Sequence, residues 1–330
     1  MERVGIVIPV YKPDEKFDRL LEMLYLQQLM PSEICLMLTL TGKGSAEEEA
    51  AELRRRAERA EKRAAEKLSG EGRSLPVPPV LRILTVKKSE FDHGGTRQRG
   101  MEALTTELAV CMTMDAVPEN DRLLLALYDA LRRNPNASQS YARQLAGSDA
   151  DLLCRLTQNY NYPAQEIVKD RSCYPKMGIK TVFCSDVCCM YRKEIFEKLG
   201  GFTRNVIFNE DMMFARKAVD NGYSVVYAAK AEVLHWHNYS FRQQFHRNFD
   251  NGVSQAEHPE FFKDIPAEGE GMRMVKKNAL LLLRKGRLLT LVRYIFQCGA
   301  KFLGFRLGKS YRRLPKWLVL KCTMTPSHFV

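Results

Sequence analysis

Glu210 and Asp211 stand side by side in Asn209-Glu210-Asp211-Met212, and His235 follows Asp211 by 24 residues, with His237 just beyond. Met212, Met213, Ala215 and Val219 fit one face of a helix that starts at the acidic pair. Gly222 can take the left-handed conformation that ends it. Ser224-Val225-Val226-Tyr227-Ala228 then reads as a short strand leading to the histidines. A helix–strand unit therefore brings two carboxylates and two imidazoles together. A carboxylate at a helix N-terminus is held ionised by the helix dipole and suits a general base for an alcohol. A nearby imidazole suits a divalent cation. The plainer alternative is that the acids are ordinary first-turn residues and the histidines belong to core or surface.

Two further stretches carry chemistry of the same kind. Phe91-Asp92-His93-Gly94-Gly95-Thr96-Arg97 sends a Gly-Gly turn into a helix N-terminus beside an arginine, a place where phosphate oxygens can sit. Many loops contain Gly-Gly without binding anything. Asp115 follows a strand over 109–113 and precedes Pro118. An acid at a strand's carboxyl end is where a metal-bound diphosphate is met, though a turn cap reads the same way.

These residues need a scaffold, and the N-terminal third supplies its outline. Residues 4–11 are apolar without alternation, as in a strand buried on both faces of a parallel sheet. Residues 14–30 have helical periodicity, and 34–40 form a second buried-type strand. Strand, helix, strand of this length is a βαβ unit of a doubly wound sheet. Ligands bind such sheets at the carboxyl ends of the strands, which puts Tyr11, Thr39 and Thr41 at that edge. Residues 45–72 are rich in Ala, Glu, Lys and Arg with few large apolar side chains, which predicts an exposed helix inserted into the fold. Strands are predicted over 81–86 and near 109–113. Residues 159–163, Asn-Tyr-Asn-Tyr-Pro, read as an aromatic, amide-rich loop that suits sugars or a packed turn equally.

Charge divides the chain. The formal net charge is +12, yet residues 271–330 hold 14 Lys/Arg and no Asp or Glu, leaving 37 Lys/Arg against 39 Asp/Glu before them. A near-neutral body disfavours a nucleic-acid partner. Residues 272–305 are predicted as one basic amphipathic helix. Arg273, Lys276, Lys277, Arg284 and Arg287 lie on one side, and Leu281, Leu288, Val292 and Phe296 on the other. Such a tail suits an anionic membrane surface, or packing on the body or another subunit. Residues 3–10 read as a strand rather than a leader, and no apolar run of about 18 residues marks a transmembrane helix. Nine scattered cysteines suggest free thiols in a reducing compartment.

In order, residues 4–13 (VGIVIPVYKP), 91–100 (FDHGGTRQRG), 113–118 (TMDAVP), 158–163 (QNYNYP), 180–202 (KTVFCSDVCCMYRKEIFEKLGGF), 209–212 (NEDM) and 231–252 resemble glycosyltransferase family 2, in its bacterial rhamnosyltransferase-like branch. The resemblance spans residues 4 to about 255. It implies a GT-A fold, Rossmann-like and mostly parallel with helices on both faces, over 1–255. The helix at 45–72 would be an insertion and 256–330 a basic helical extension.

The same resemblance implies an inverting transfer from a nucleotide sugar, with Mg²⁺ or Mn²⁺. It makes Asp211 the base beside Glu210, and Asp115 and His235 the metal residues. Pro9, Tyr11, Thr39, His93, Gly94, Gly95, Thr96 and Arg97, with Asp115, would border the donor. The expected donor is dTDP-L-rhamnose and the expected acceptor a cell-surface polysaccharide or lipid-linked glycan, met at the cytoplasmic face of the membrane. Thr39-Leu40-Thr41-Gly42 departs from the family pattern, since many relatives carry an acid there that reads the base. Galactose, glucose or N-acetylglucosamine as the sugar, and a non-catalytic scaffold of polysaccharide assembly, stay open, as does the oligomeric state.

Overall fold

The computed structural model describes residues 2–265 and 268–329. The apolar run at the N-terminus becomes β1 (Val4–Val10) because both of its faces are covered. Val4, Ile6, Ile8 and Val10 enter one core, while Val7 enters another on the opposite face. This is the period-two alternation of a strand, here with apolar residues on both sides. The other strands are β2 (Glu33–Thr39), β3 (Val80–Val86), β4 (Leu108–Met112), β5 (Val117–Pro118), β6 (Ala137–Leu145), β7 (Ile167–Lys169), β8 (Cys188–Arg192) and β9 (Ser224–Leu234). They form one sheet ordered β3-β2-β1-β4-β8-β6-β9-β5, with β7 also on β9. β1 to β4 pair in parallel. β8 runs antiparallel to β4 and β6, and β6 is again parallel to β9.

Helices cover both faces. On the first lie α1 (Glu15–Tyr25), α2 (Ala46–Gly70) and α4 (Leu123–Arg133). On the second lie α3 (His93–Ala103), α7 (Lys193–Lys198) and α8 (Glu210–Asp220). α5 (Leu152–Asn161), α6 (Tyr174–Met177), α9 (Phe241–Glu257) and α10 (Pro259–Phe262) pack around the carboxyl edge and beyond it. Residues 159–161, read from sequence as a loop, are the last turn of α5.

The helix at 45–72 is not the exposed insertion its composition suggests. α2 is the crossover between β2 and β3, and Leu53, Ala57, Ala60, Ala64 and Leu68 are at most 3% exposed. Their spacing of three and four residues is one helical stripe. It was hidden because alanine buries little area and carries no strong apolar signal, while its small size lets the helix sit close. Ser45 and Glu48 close a capping box at its start.

The tail also differs from the single helix expected. α11 (Glu268–Arg284) ends at Gly286, whose φ of +65° is left-handed, and α12 (Leu288–Lys309) begins after the turn. α13 (Lys316–Cys322) follows. α12 lies directly on α9. A Cβ at Gly304 or Gly308 would run into the carbonyls of Phe245 and Phe249, and one at Gly252 into that of Phe305. Glycines four residues apart thus let two helix backbones touch. Among the described residues, α12 is the one helix long and apolar enough to cross a membrane, though little of it is buried. No such segment was expected from sequence, because lysines and arginines interrupt it.

Candidate active site

The sheet register explains the convergence. β4 ends at Met112 opposite Cys188, so the segments 113–115 and 185–187 leave the same edge together. β5 pairs Val117 with Leu234, which sets Asp115 against the chain leaving β9 at His235. α8 starts at this edge too. Its first residues are placed by Asn209, whose φ of +70° is a conformation asparagine tolerates better than most side chains. Asn209 Nδ2 donates to Asn251 Oδ1 at 2.9 Å and to Ser254 Oγ at 3.0 Å, both on α9.

One cavity of about 360 Å³ is lined by His93, Arg97, Asp115, Asp186, Glu210, Asp211, His235 and His237. On its acidic side, Arg97 Nη1 donates to Glu210 Oε1 at 2.8 Å, and Arg97 Nε lies 3.4 Å from Asp186 Oδ2. All three side chains are nearly inaccessible. Burial works against the Arg97 charge, but Glu210 and Asp186 hold it protonated. The Tyr191 hydroxyl donates to Asp186 Oδ1 at 2.6 Å. Burial pushes the Asp186 carboxyl well up, helped by Asp211 and Glu210 and opposed by Arg97.

Asp211 accepts from the Asp186 N–H at 3.0 Å and from the Met212 N–H at 2.7 Å. Its carboxyl is nonetheless pushed up to about 7, by burial first and then by the neighbouring Glu210. The helix dipole does not dominate here, as the sequence had suggested, because three carboxyls share one guanidinium in a buried space. Asp211 is therefore a carboxyl poised near neutrality, and Glu210 is occupied by Arg97.

On the other side, Asp115 Oδ2 lies 3.2 Å from His237 Nε2 and 3.6 Å from His235 Nε2. Their ligand-type atoms all fall within 4.8 Å of one another. His235 Nδ1 meets Gln144 Oε1 at 2.9 Å, while Gln144 Nε2 reaches Tyr162 Oη at 2.6 Å and Ser185 Oγ at 3.0 Å. An amide oxygen only accepts, so Nδ1 carries the proton and the Nε2 lone pair is turned toward Asp115. Burial lowers the His235 pKa to about 4, keeping the ring neutral. Burial would raise Asp115, but the His237 hydrogen bond and the two neighbouring imidazoles bring it well below its ordinary value. A carboxylate facing two imidazole nitrogens is a donor set that fits a divalent cation.

The remaining sequence candidates lie outside this cavity's lining. Tyr11 is next to it, its N–H donating to Met114 Sδ at 3.4 Å, with Lys12 and Lys88 over its ring at 5.2 and 5.9 Å. Pro9 is within β1 and Thr39 ends β2, its Oγ1 buried without a partner. Gly94 and Gly95 serve packing. A Cβ on Gly94 would run into the Thr203 carbonyl, and one on Gly95 into Asp92, which caps α3 by accepting the Gly95 N–H at 2.7 Å. Thr96 is buried behind them, with no partner for Oγ1. His93, which does line the cavity, is packed between Phe91 and Phe208. Sequence reasoning gave no role to Asp186, Gln144 or Arg247 and left His237 out of the metal set. His237 had a signal in its place two residues after His235 beyond a strand, and Asp186 and Arg247 lie in stretches 180–202 and 231–252 that carry the resemblance.

The chain belongs to glycosyltransferase family 2. The model of that family, Glycosyl transferase family 2, matches residues 77–200. The chain is 39% identical over 235 residues to the O-antigen chain rhamnosyltransferase WbaN of Salmonella anatum, covering 71% of this chain and 74% of that protein. It is 37% identical over 243 residues to the O-antigen chain rhamnosyltransferase RfbN of Salmonella typhimurium, covering 71% and 75%. Among solved structures it resembles the mannosyltransferase PcManGT from Pyrobaculum calidifontis, in complex with GDP-Man and Mn²⁺. That match has a TM-score of 0.57 at 14% identity, over 93% of this chain and 87% of the other. The architecture is the GT-A fold with a helical C-terminal region, and the protein is a glycosyltransferase.

Proposed function

We propose that this glycosyltransferase moves L-rhamnose from dTDP-L-rhamnose, with inversion, to a cell-surface polysaccharide or lipid-linked glycan of the O-antigen kind. The similarity to two O-antigen chain rhamnosyltransferases supports the sugar and the acceptor class. The observation that carries the mechanism is a single cavity with Asp211 on one wall and Asp115, His235 and His237 on the other.

Asp211 takes the proton from the acceptor hydroxyl. A carboxyl near pKa 7 is matched to that task, since it is substantially ionised at neutral pH and still basic. Glu210, Arg97 and Asp186 position it, through the Asp186 N–H and the fixed start of α8. One base on the acceptor side is what in-line displacement with inversion needs. Asp115, His235 and His237 would hold Mg²⁺ or Mn²⁺, which neutralises charge on the departing diphosphate. Two imidazoles suit a transition ion such as Mn²⁺ better than Mg²⁺, which prefers oxygen ligands. Tyr11, flanked by Lys12 and Lys88, and Thr39, with its unpartnered hydroxyl, border the nucleotide end of the donor.

The tail supports a place on the inner face of the membrane. Leu288, Val292, Ile295 and Leu303 on α12 are more than half exposed, within a segment that carries basic residues and no acids. An amphipathic surface of this kind lies in an anionic interface.

The reading is tested by thermal shift with dTDP-rhamnose, UDP-glucose, UDP-galactose, UDP-N-acetylglucosamine and GDP-mannose, each with Mn²⁺ and with EDTA. The expected result is a Mn²⁺-dependent rise in Tm with dTDP-rhamnose. A rise with a different donor would replace the sugar. No rise with any donor, in folded protein, would favour a non-catalytic scaffold.

A further inference from the structure

A second cavity of about 400 Å³ adjoins the first and shares Gln144, Asn209, His235, His237 and Arg247 with it. Its far wall is the tail, through Gln297 and Lys301 of α12 and Met274 of α11. These two tail residues fall on the same side of α12 as Gly304 and Gly308, so the contact that locks α12 onto α9 also aims them inward.

Among the described residues the two cations here form no ion pair, and Asp151 acts on Lys301 only from a distance. Lys301 makes no hydrogen bond or ion pair among the described residues, and burial lowers its pKa. Arg247 has no carboxylate partner either. Its guanidinium rests on the rings of Phe208 and Tyr239, at 5.0 and 5.7 Å. The carboxylate in the same lining, Asp151, is already used. Its Oδ1 accepts the Cys154 N–H at 2.7 Å, and its Oδ2 lies 3.4 Å from Arg293. Gln297 is 4% exposed and its Oε1 has no partner. The buried Gln297 oxygen is costly unless something meets it, and half-buried Lys301 and exposed Arg247 turn their charges to the same cavity. Between the cations the wall is amide and aromatic, with Asn161, Asn248 and Trp236, a surface suited to a sugar.

We infer that this cavity is the acceptor subsite and that it takes a sugar phosphate, its phosphate against Lys301 and Arg247 and its hydroxyls toward the shared wall. The word acceptor rests on the transfer reading above, whereas the anion site rests on its own geometry. The phosphate can come from a lipid carrier or from the glycan itself.

The experiment is calorimetric titration of the full chain in EDTA, so that no cation at Asp115 draws the phosphate. The probes are octyl phosphate, inorganic phosphate and, as a neutral control, octyl glucoside. Wild-type protein is expected to bind phosphate, Lys301→Met to bind it about tenfold or more weakly, and Lys301→Arg to restore it. Tighter octyl phosphate than inorganic phosphate supports a lipid-borne group, and equal affinity supports a phosphate on the glycan. Unchanged affinity in Lys301→Met, octyl glucoside binding as tightly as octyl phosphate, or no binding of either phosphate overturns the inference. Nucleotide-sugar binding with Mn²⁺ is measured beside it and should be the same in Lys301→Met. Its absence in wild type would remove the transfer reading while leaving the phosphate result intact.

Discussion

The two walls of the first cavity handle the same functional group in opposite ways. Asp115 is half-buried, yet the two imidazoles beside it hold its carboxyl well below the ordinary value. Asp211 is half-buried too, yet it sits among carboxyls and rises to about 7. Burial pushes both upward, and the neighbours decide the outcome. A carboxylate fixed in its charged form suits a cation site. One that can gain or lose a proton near neutral pH suits proton transfer. The separation of roles follows from what the sheet edge places beside each acid.

The largest expected effect comes from removing the cation that makes the acidic wall tolerable. Arg97→Met should destabilise the fold by about 3–5 kcal/mol in chemical denaturation, because Glu210 and Asp186 lose their buried partner. Wild-type stability in that variant would mean that the contacts of Arg97 with Glu210 and Asp186 do not hold this wall together. On the opposite wall, Gln144→Leu removes the acceptor that fixes the His235 tautomer. Mn²⁺ affinity, followed by titration, should fall about 10–100-fold. Unchanged affinity would show that Gln144 does not orient the ring.

A smaller effect lies in the pH dependence of stability. A carboxyl raised in the folded state binds its proton more tightly folded than unfolded. Its contribution is fully present below the ordinary pKa near 3.9 and is lost as pH rises through about 7. Wild-type stability should therefore fall between pH 4 and 7, by at most about 1.4 kcal/mol per pH unit for one proton. Asp211→Asn should flatten that slope. Equal slopes in the two proteins would mean that the raised carboxyl is not Asp211.

The chain's own residues made parts of this visible in advance. The βαβ opening, the acidic pair at a helix start and the histidine beyond the next strand are local patterns, and local patterns survive in sequence. The pairing of Arg97 with Glu210 is not local. It joins α3 to α8 across the sheet edge, so the sequence shows an arginine beside a Gly-Gly turn and not the carboxylates it meets. Gly94 and Gly95 are no easier to read, since a glycine required by packing and one required by a phosphate look alike in sequence. α2 reads as an exposed insertion because its buried stripe is mostly alanine. The turn at Gly286 and the close approach at Gly304 and Gly308 turned one expected tail helix into a hairpin anchored on α9. Glycine marks such places, but not which partner it meets.

The most direct test of the central claim is turnover by Asp211→Asn, measured with dTDP-rhamnose and an O-antigen-type acceptor beside donor binding. Transfer is expected to fall by about 10²–10⁴-fold while donor affinity with Mn²⁺ stays within error, since a base lost from one wall leaves the other intact. Near-normal transfer in that variant would contradict the assignment of Asp211 as the base.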